Sequence, residues 1–226
     1  FELAFRRANE GQFYVDIDCS GNSLKQLQNK GILGYEKSLG YFITHDIYEE
    51  WALEKIINKE ISNPDNFFEI FSPSHLMKKV FSYWLLGQSP NDFKKIISKL
   101  LDKHIPSVWK SNILSSCLLS DHANDFFKDF DYLILDKENS LLNDLIFVAK
   151  NICIKEDKKL FELYFKDNEK YAHFKLFLNK PIPNAWEPLI EFIYNNQPDI
   201  DIENNIDSLL PFLDRWTKKN KRGTST

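Results

Sequence analysis

The sequence predicts a mainly α-helical protein with one short β-hairpin near its N-terminus. Apolar residues recur at helical spacing along most of the 226 residues, and the chain holds only seven glycines against nineteen phenylalanines. Glycine punctuation with strand-like composition is confined to the region before residue 44.

In that region "QFYVDID" (12–18), "GILGY" (31–35) and "GYFIT" (40–44) read as short strands bounded by glycine. Between the first and second, "SGNSLKQLQNK" reads as a helix with Leu24 and Leu27 turned inward and Gly31 as its stop. A helix followed by a hairpin is the order of a winged-helix domain, which we place at residues 1–60.

The helix after the hairpin, "HDIYEEWALEKII", has Thr44 as its expected N-cap. Asp46, Glu49 and Glu50 put negative charge in its early turns, and Lys55 and Lys59 put positive charge near its end, both complementing the macrodipole. Ile47, Tyr48, Trp51, Ala52 and Ile56 form an apolar stripe expected to pack into the core.

From residue 61 the chain reads as short helices and short breaks. Ser89 and Pro90 can start "SPNDFKKIISKLLDKH", Pro106 can occupy the first turn of "PSVWKSNILSSCLLS", and Asp121 can cap "DHANDFFKDF". Further stripes are "SLLNDLIFVAKNICI", "KKLFELYF", "KYAHFKLFL", "NAWEPLIEFIYNN" and "NIDSLLPFLDRWTKK". Stacked helical hairpins, as in a HEAT/TPR-like solenoid, are expected over 61–217, followed by a flexible tail at 218–226. Ile-Pro-x-x-Trp recurs at helix starts from Ile105 and from Ile182, which hints at an internal repeat about two hairpins long.

Composition excludes several classes. A net charge of −4 and a pI near 5.8 give no global basic field for nucleic acid. No apolar run approaches the roughly 18 residues that span a membrane, and "FELAFRRANEG" lacks signal-peptide organisation. Cys19, Cys117 and Cys153 are too few and scattered for a disulfide framework or a zinc motif, so a reducing, cytoplasmic setting is expected. The start at Phe1 and the polar end "KKNKRGTST" suggest a piece of a longer protein.

The chemical motifs fail on inspection. "GILGYEKS" approaches a phosphate-binding loop, but Glu36 stands where a glycine must let backbone N–H groups close on phosphate. The neighbouring His45 and Asp46 suggest a metal-dependent hydrolase, yet His75, His104, His122 and His173 include no pair spaced for one helix face. No serine or cysteine sits in a nucleophile motif. No catalytic residue, resident cofactor or metal ligand is expected in this chain.

"YFITHDIYEEWALEKII" resembles the end of the winged-helix domain of NACHT-type and related STAND NTPases, where a strand carries Phe-x-His into a helix that begins with an aromatic residue. "LAFRRANEGQFYVD" is similar to the helix that opens that domain, and "LKQLQNKGIL" to the helix that stops before its hairpin. The resemblance covers residues 1 to about 60; the helical remainder matches only in architecture the α-solenoid that commonly follows, including in bacterial antiphage members.

The resemblance implies that His45 contacts the β-phosphate of ADP held by a neighbouring NTPase domain and keeps the parent protein closed until ATP replaces ADP. A helix N-terminus favours the neutral ring there, which can donate one N–H to phosphate oxygen. It further implies a non-catalytic sensor and interaction region with a preceding NTPase domain as partner, an unidentified trigger, and a parent that oligomerises. This chain departs from the family in having no P-loop or Walker B segment.

Two other classes compete. A winged-helix DNA-binding regulator would use "SLKQLQNKG" as its recognition helix, but residues 1–60 carry seven cations against ten acids. A plain helical adaptor would bury His45 away from any open surface.

Overall fold

A computed structural model describes residues 1–17, 21–101, 105–136, 138–158, 162 and 179–220. The expected helices at 158–165 and 170–178, together with Cys19, His104, His173 and the end of the expected tail, lie wholly or mainly outside these residues. The chain is mainly helical and forms two compact units, Phe1–Asn112 and Ile113–Thr226.

The first unit begins with α1 (Glu2–Glu10), α2 (Gly21–Asn29), β1 (Leu33–Glu36), β2 (Gly40–Ile43) and α3 (Asp46–Glu60). Gly31 ends α2 as expected. It takes φ 69°, its N–H reaches Gln28 O at 2.9 Å, and the next N–H, of Ile32, reaches Leu27 O at 3.0 Å. The strands β1 and β2 pair antiparallel from Leu33↔Ile43 to Glu36↔Gly40, so "GILGYEKS" is hairpin rather than phosphate loop.

Over its described residues, 12–17, the strand expected at 12–18 is reduced to a single bridge. Val15 exchanges both backbone hydrogen bonds with Tyr41 at 3.0 Å, while the next carbonyl, of Asp16, is taken by Arg6 Nη1 at 2.6 Å and cannot extend a ladder. Gly40 permits this bridge: at φ 110°, a Cβ would stand 2.8 Å from Val15 O.

After α3 come α4 (Pro64–Ile70), α5 (His75–Leu86) and α6 (Pro90–Leu101). Ser74 caps α5 by accepting Met77 N–H at 3.1 Å, and Ser89 caps α6 as expected, accepting Asp92 N–H at 3.3 Å. Helix α3 packs on α1, α4 and α5. Asn9 fastens α1 to the α4–α5 link, donating to Ile70 O at 2.8 Å and accepting Ser72 N–H at 3.1 Å. Phe67, Phe71, Phe81 and Trp109 fill the space beneath in tilted and edge-on contacts.

Helix α7 (Ser107–Leu119) carries the division between the units. Pro106 precedes it, its carbonyl accepting Lys110 N–H at 2.9 Å, one position earlier than expected. The second unit continues with α8 (Ala123–Asp129), α9 (Asp131–Ile134), α10 (Ser140–Asn151), β3 (Ile154–Glu156), β4 (Asn179–Pro181), α11 (Pro183–Asn195), a 3₁₀ turn (Gln197–Asp199) and α12 (Ile202–Asn220). Asp121 does not cap α8; His122 holds that position and its side chain does not cap the helix, while the preceding turn is closed by Ser120 Oγ accepting His122 N–H at 3.2 Å.

Strands were not expected after residue 44, yet β3 and β4 pair antiparallel, with Ile154 opposite Pro181. Three residues are too few to show a period, and the partner is distant in sequence. Trp186 anchors this end of the unit: its Nε1 donates to Ala149 O at 3.0 Å and Cys153 O at 2.9 Å, and its ring stacks on Phe212 at 4.4 Å. Asn139, in a left-handed conformation, joins α10 to α12 through Oδ1, which accepts from Asp201 N–H and Asn205 Nδ2, each at 3.1 Å.

Candidate functional site

The strand β2 delivers His45 to the start of α3. Thr44, the expected cap, is still part of the hairpin; its hydroxyl donates toward Gly31 O at 2.6 Å and Ile32 O at 3.1 Å, locking the end of α2 to the end of β2. The cap position falls to His45 itself, in an extended conformation with φ −140° and ψ 133°, and its carbonyl accepts Tyr48 N–H. The His45 side chain is exposed, its ring edge toward Tyr48 at 5.9 Å between centroids. Among the described residues its ring nitrogens have no hydrogen-bond partner, so both remain open to an outside group.

The acids beside it divide. Asp46 is exposed. Glu49 is 3% exposed and turned into the core, its Oε1 3.2 Å from Arg7 Nε at an angle that makes an ion pair but no hydrogen bond. Burial raises the Glu49 carboxyl above its usual range; Arg7 works against this, while Asp46 and Glu50 add to it. The Arg7 guanidinium also lies 4.7 Å from the Phe13 ring centre. Glu50 pairs outward with Lys79 at 2.7 Å.

The buried face of α3 is rotated from the expected one, with Ala52 common to both. The buried positions are Glu49, Ala52, Leu53 and Ile57, whereas Ile47 and Trp51, expected in the core, are 65% and 54% exposed. The helix is apolar on more than one side; the side that turns in, about a third of a turn from the expected one, carries Leu53 and Ile57 at 0% exposure and pairs Glu49 with Arg7. The displaced stripe forms a surface below His45: Trp51 stacks on the exposed Phe1 at 5.8 Å, with Ile47 and Tyr48 beside them.

An apolar cleft of about 310 Å³ opens under this surface, bordered by Leu24, Leu27, Leu33, Ile43, Tyr48 and Trp51. Leu27, expected inward, lies at this cleft and stays partly exposed. Among the described residues no cluster of three or more histidine, cysteine or carboxylate side chains is arranged to hold a metal ion, and no helix is long and apolar enough to cross a membrane. Cys117 and Cys153 are free and buried; burial pushes the Cys153 thiol up to about 12 and Cys117 higher still.

Sequence reasoning singled out His45 and did not anticipate its apolar surroundings or the Arg7–Glu49 ion pair. The signal for the surroundings is the unusual run of large apolar residues on two faces of α3; nothing in one sequence pairs Arg7 with Glu49. Compared with models of known protein families and with curated proteins, the chain matches none.

Proposed function

We propose that residues 1–60 are a winged-helix-like domain and residues 61–217 an α-helical repeat domain, together forming the non-catalytic regulatory and sensor region of a STAND-like signalling NTPase. In this reading His45 contacts the phosphate of ADP held by a preceding NTPase domain, and the exposed face of α3 packs against that domain. The trigger is recognised through the helical region. Whether the parent acts in antiphage defence is a further part of the same proposal.

The observation that carries the reading is the exposed imidazole at the start of α3. Its nitrogens are open, the first-turn backbone N–H groups and helix dipole favour an anion nearby, and Glu49 is withdrawn into the core with Arg7 beside it. Asp46, exposed beside the ring, is a carboxylate that a phosphate would have to avoid. The apolar surface of Phe1, Ile47 and Trp51 next to His45 is of the kind that a neighbouring domain covers. A buried, satisfied histidine, as expected for a plain adaptor, is not what this position holds.

The test is His45→Ala in the longer protein that contains the NTPase domain. Raised basal oligomerisation without trigger is the expected result; an unchanged assembly state with and without trigger contradicts the assignment.

A further inference from the structure

Helices α11 and α12 leave an apolar groove of about 280 Å³ between them, lined by Ile190, Tyr194, Ile200, Ile206, Leu210 and Leu213. Its outer edges carry large apolar side chains in water: Tyr194 is 72% exposed and Leu210 63%, with Ile202 and Ile206 each about half exposed. On α12 the members Ile202, Ile206, Leu209, Leu210 and Leu213 follow helical spacing, so the stripe runs along the helix instead of marking isolated surface residues.

Both rims are acidic. Glu203 follows Ile202 by one residue and precedes Ile206 by three, Asp207 follows Ile206 by one and precedes Leu210 by three, and Asp214 lies four beyond Leu210, so all three occupy the face adjoining the stripe; all are exposed. On α11, Glu187 precedes Ile190 by three and Glu191 precedes Tyr194 by three; both are exposed, and Glu191 also borders a second hollow with Pro188 and Asn195. Among the described residues, of these five acids only Asp214 has a cation in contact, Lys218 at 2.6 Å. An apolar trough between two acidic edges matches a helix that carries an apolar stripe flanked by lysine or arginine.

We propose that this groove binds a basic amphipathic helix of a partner protein. The helix lays its apolar stripe between α11 and α12, over Tyr194, Ile206 and Leu210, and its cations face Glu187 and Glu191 on one side and Glu203 and Asp207 on the other. Apolar burial supplies affinity, and the paired charges set orientation and exclude acidic helices. The site lies in the second unit and does not depend on the role given to His45.

The test uses the 226-residue chain and two labelled model peptides of about four turns, each with leucine at the stripe positions and either lysine or glutamate elsewhere, read by fluorescence anisotropy. The lysine peptide is expected to bind at least about tenfold more tightly than the glutamate peptide, with affinity falling as salt rises. Glu203→Lys with Asp207→Lys should weaken the lysine peptide about tenfold and narrow the difference between the two peptides. Leu210→Asp, at an exposed position, should abolish binding while leaving the circular dichroism melt unchanged. Equal binding of both peptides, or charge-reversed and Leu210→Asp variants that bind like the parent, overturns the proposal. So does a concentration-dependent dimer that Leu210→Asp converts to monomer without any peptide preference, because the occupant is then a second copy of the chain.

Discussion

Replacing Arg7 with methionine probes the buried ion pair between α1 and α3. The Arg7 and Glu49 side chains are 10% and 4% exposed and 3.2 Å apart, so removing the cation while keeping its length leaves a carboxylate in the core without its counter-charge. Breaking a buried pair in this way costs about 3–5 kcal/mol, a large part of the roughly 5–15 kcal/mol that holds a domain folded. The cost depends on pH. Burial already raises the folded-state pKa of Glu49 above the ordinary 4.5, so its contribution to stability is full below that value and is lost as pH rises through the folded value. Without Arg7, which lowers it, the folded value moves further up and the loss grows.

Arg7→Met should therefore cost about 3–5 kcal/mol at pH 7 and clearly less at pH 5, measured by urea unfolding followed by circular dichroism. The double variant Arg7→Met/Glu49→Leu should recover to within about 1 kcal/mol of the parent, because an apolar pair of similar volume replaces the ions. A single variant within about 0.5 kcal/mol of the parent at pH 7, or one equally destabilised at both pH values, refutes the argument.

Other outcomes follow from particular contacts. Gly40→Ala should cost about 1–3 kcal/mol in thermal melts, since its Cβ would meet Val15 O at 2.8 Å and φ is 110°. Trp186→Phe should lose about 1–3 kcal/mol with the donor that serves Ala149 O and Cys153 O, whereas Trp109→Phe should lose less, because Trp109 Nε1 is buried with no partner among the described residues. Iodoacetamide at pH 8 should label neither Cys117 nor Cys153 in the folded protein and both in denaturant, as read by mass spectrometry of the peptides; both thiols are buried and held protonated.

Local chemistry made much of the helical layout readable. Ser89 with Pro90, Gly31 after α2 and Pro183 at the start of α11 act on their own few residues, and each stands where the sequence put it. Long-range partners were hidden. Thr44 has the composition of a cap, but its hydroxyl is taken by the carbonyls of Gly31 and Ile32. The sequence of α3 offers two apolar faces, and the inward one places Glu49 against Arg7 of another helix, a pairing no local pattern announces. The β3–β4 pair and the Asn139–Asn205 link join residues far apart and leave no periodic trace. Of the candidate site, the position of His45 between a strand and a helix was legible, while its proposed role came from the family resemblance; the exposed surface of Phe1, Ile47 and Trp51 was not legible, because α3 has apolar residues on two faces.

The most direct test of His45 as a nucleotide contact is the release rate of fluorescent ADP from the longer NTPase-containing protein, compared between parent and His45→Ala. Loss of one hydrogen bond to a charged phosphate, about 1.5–3 kcal/mol, should speed release by about tenfold to a hundredfold. Release at the parent rate would contradict the account.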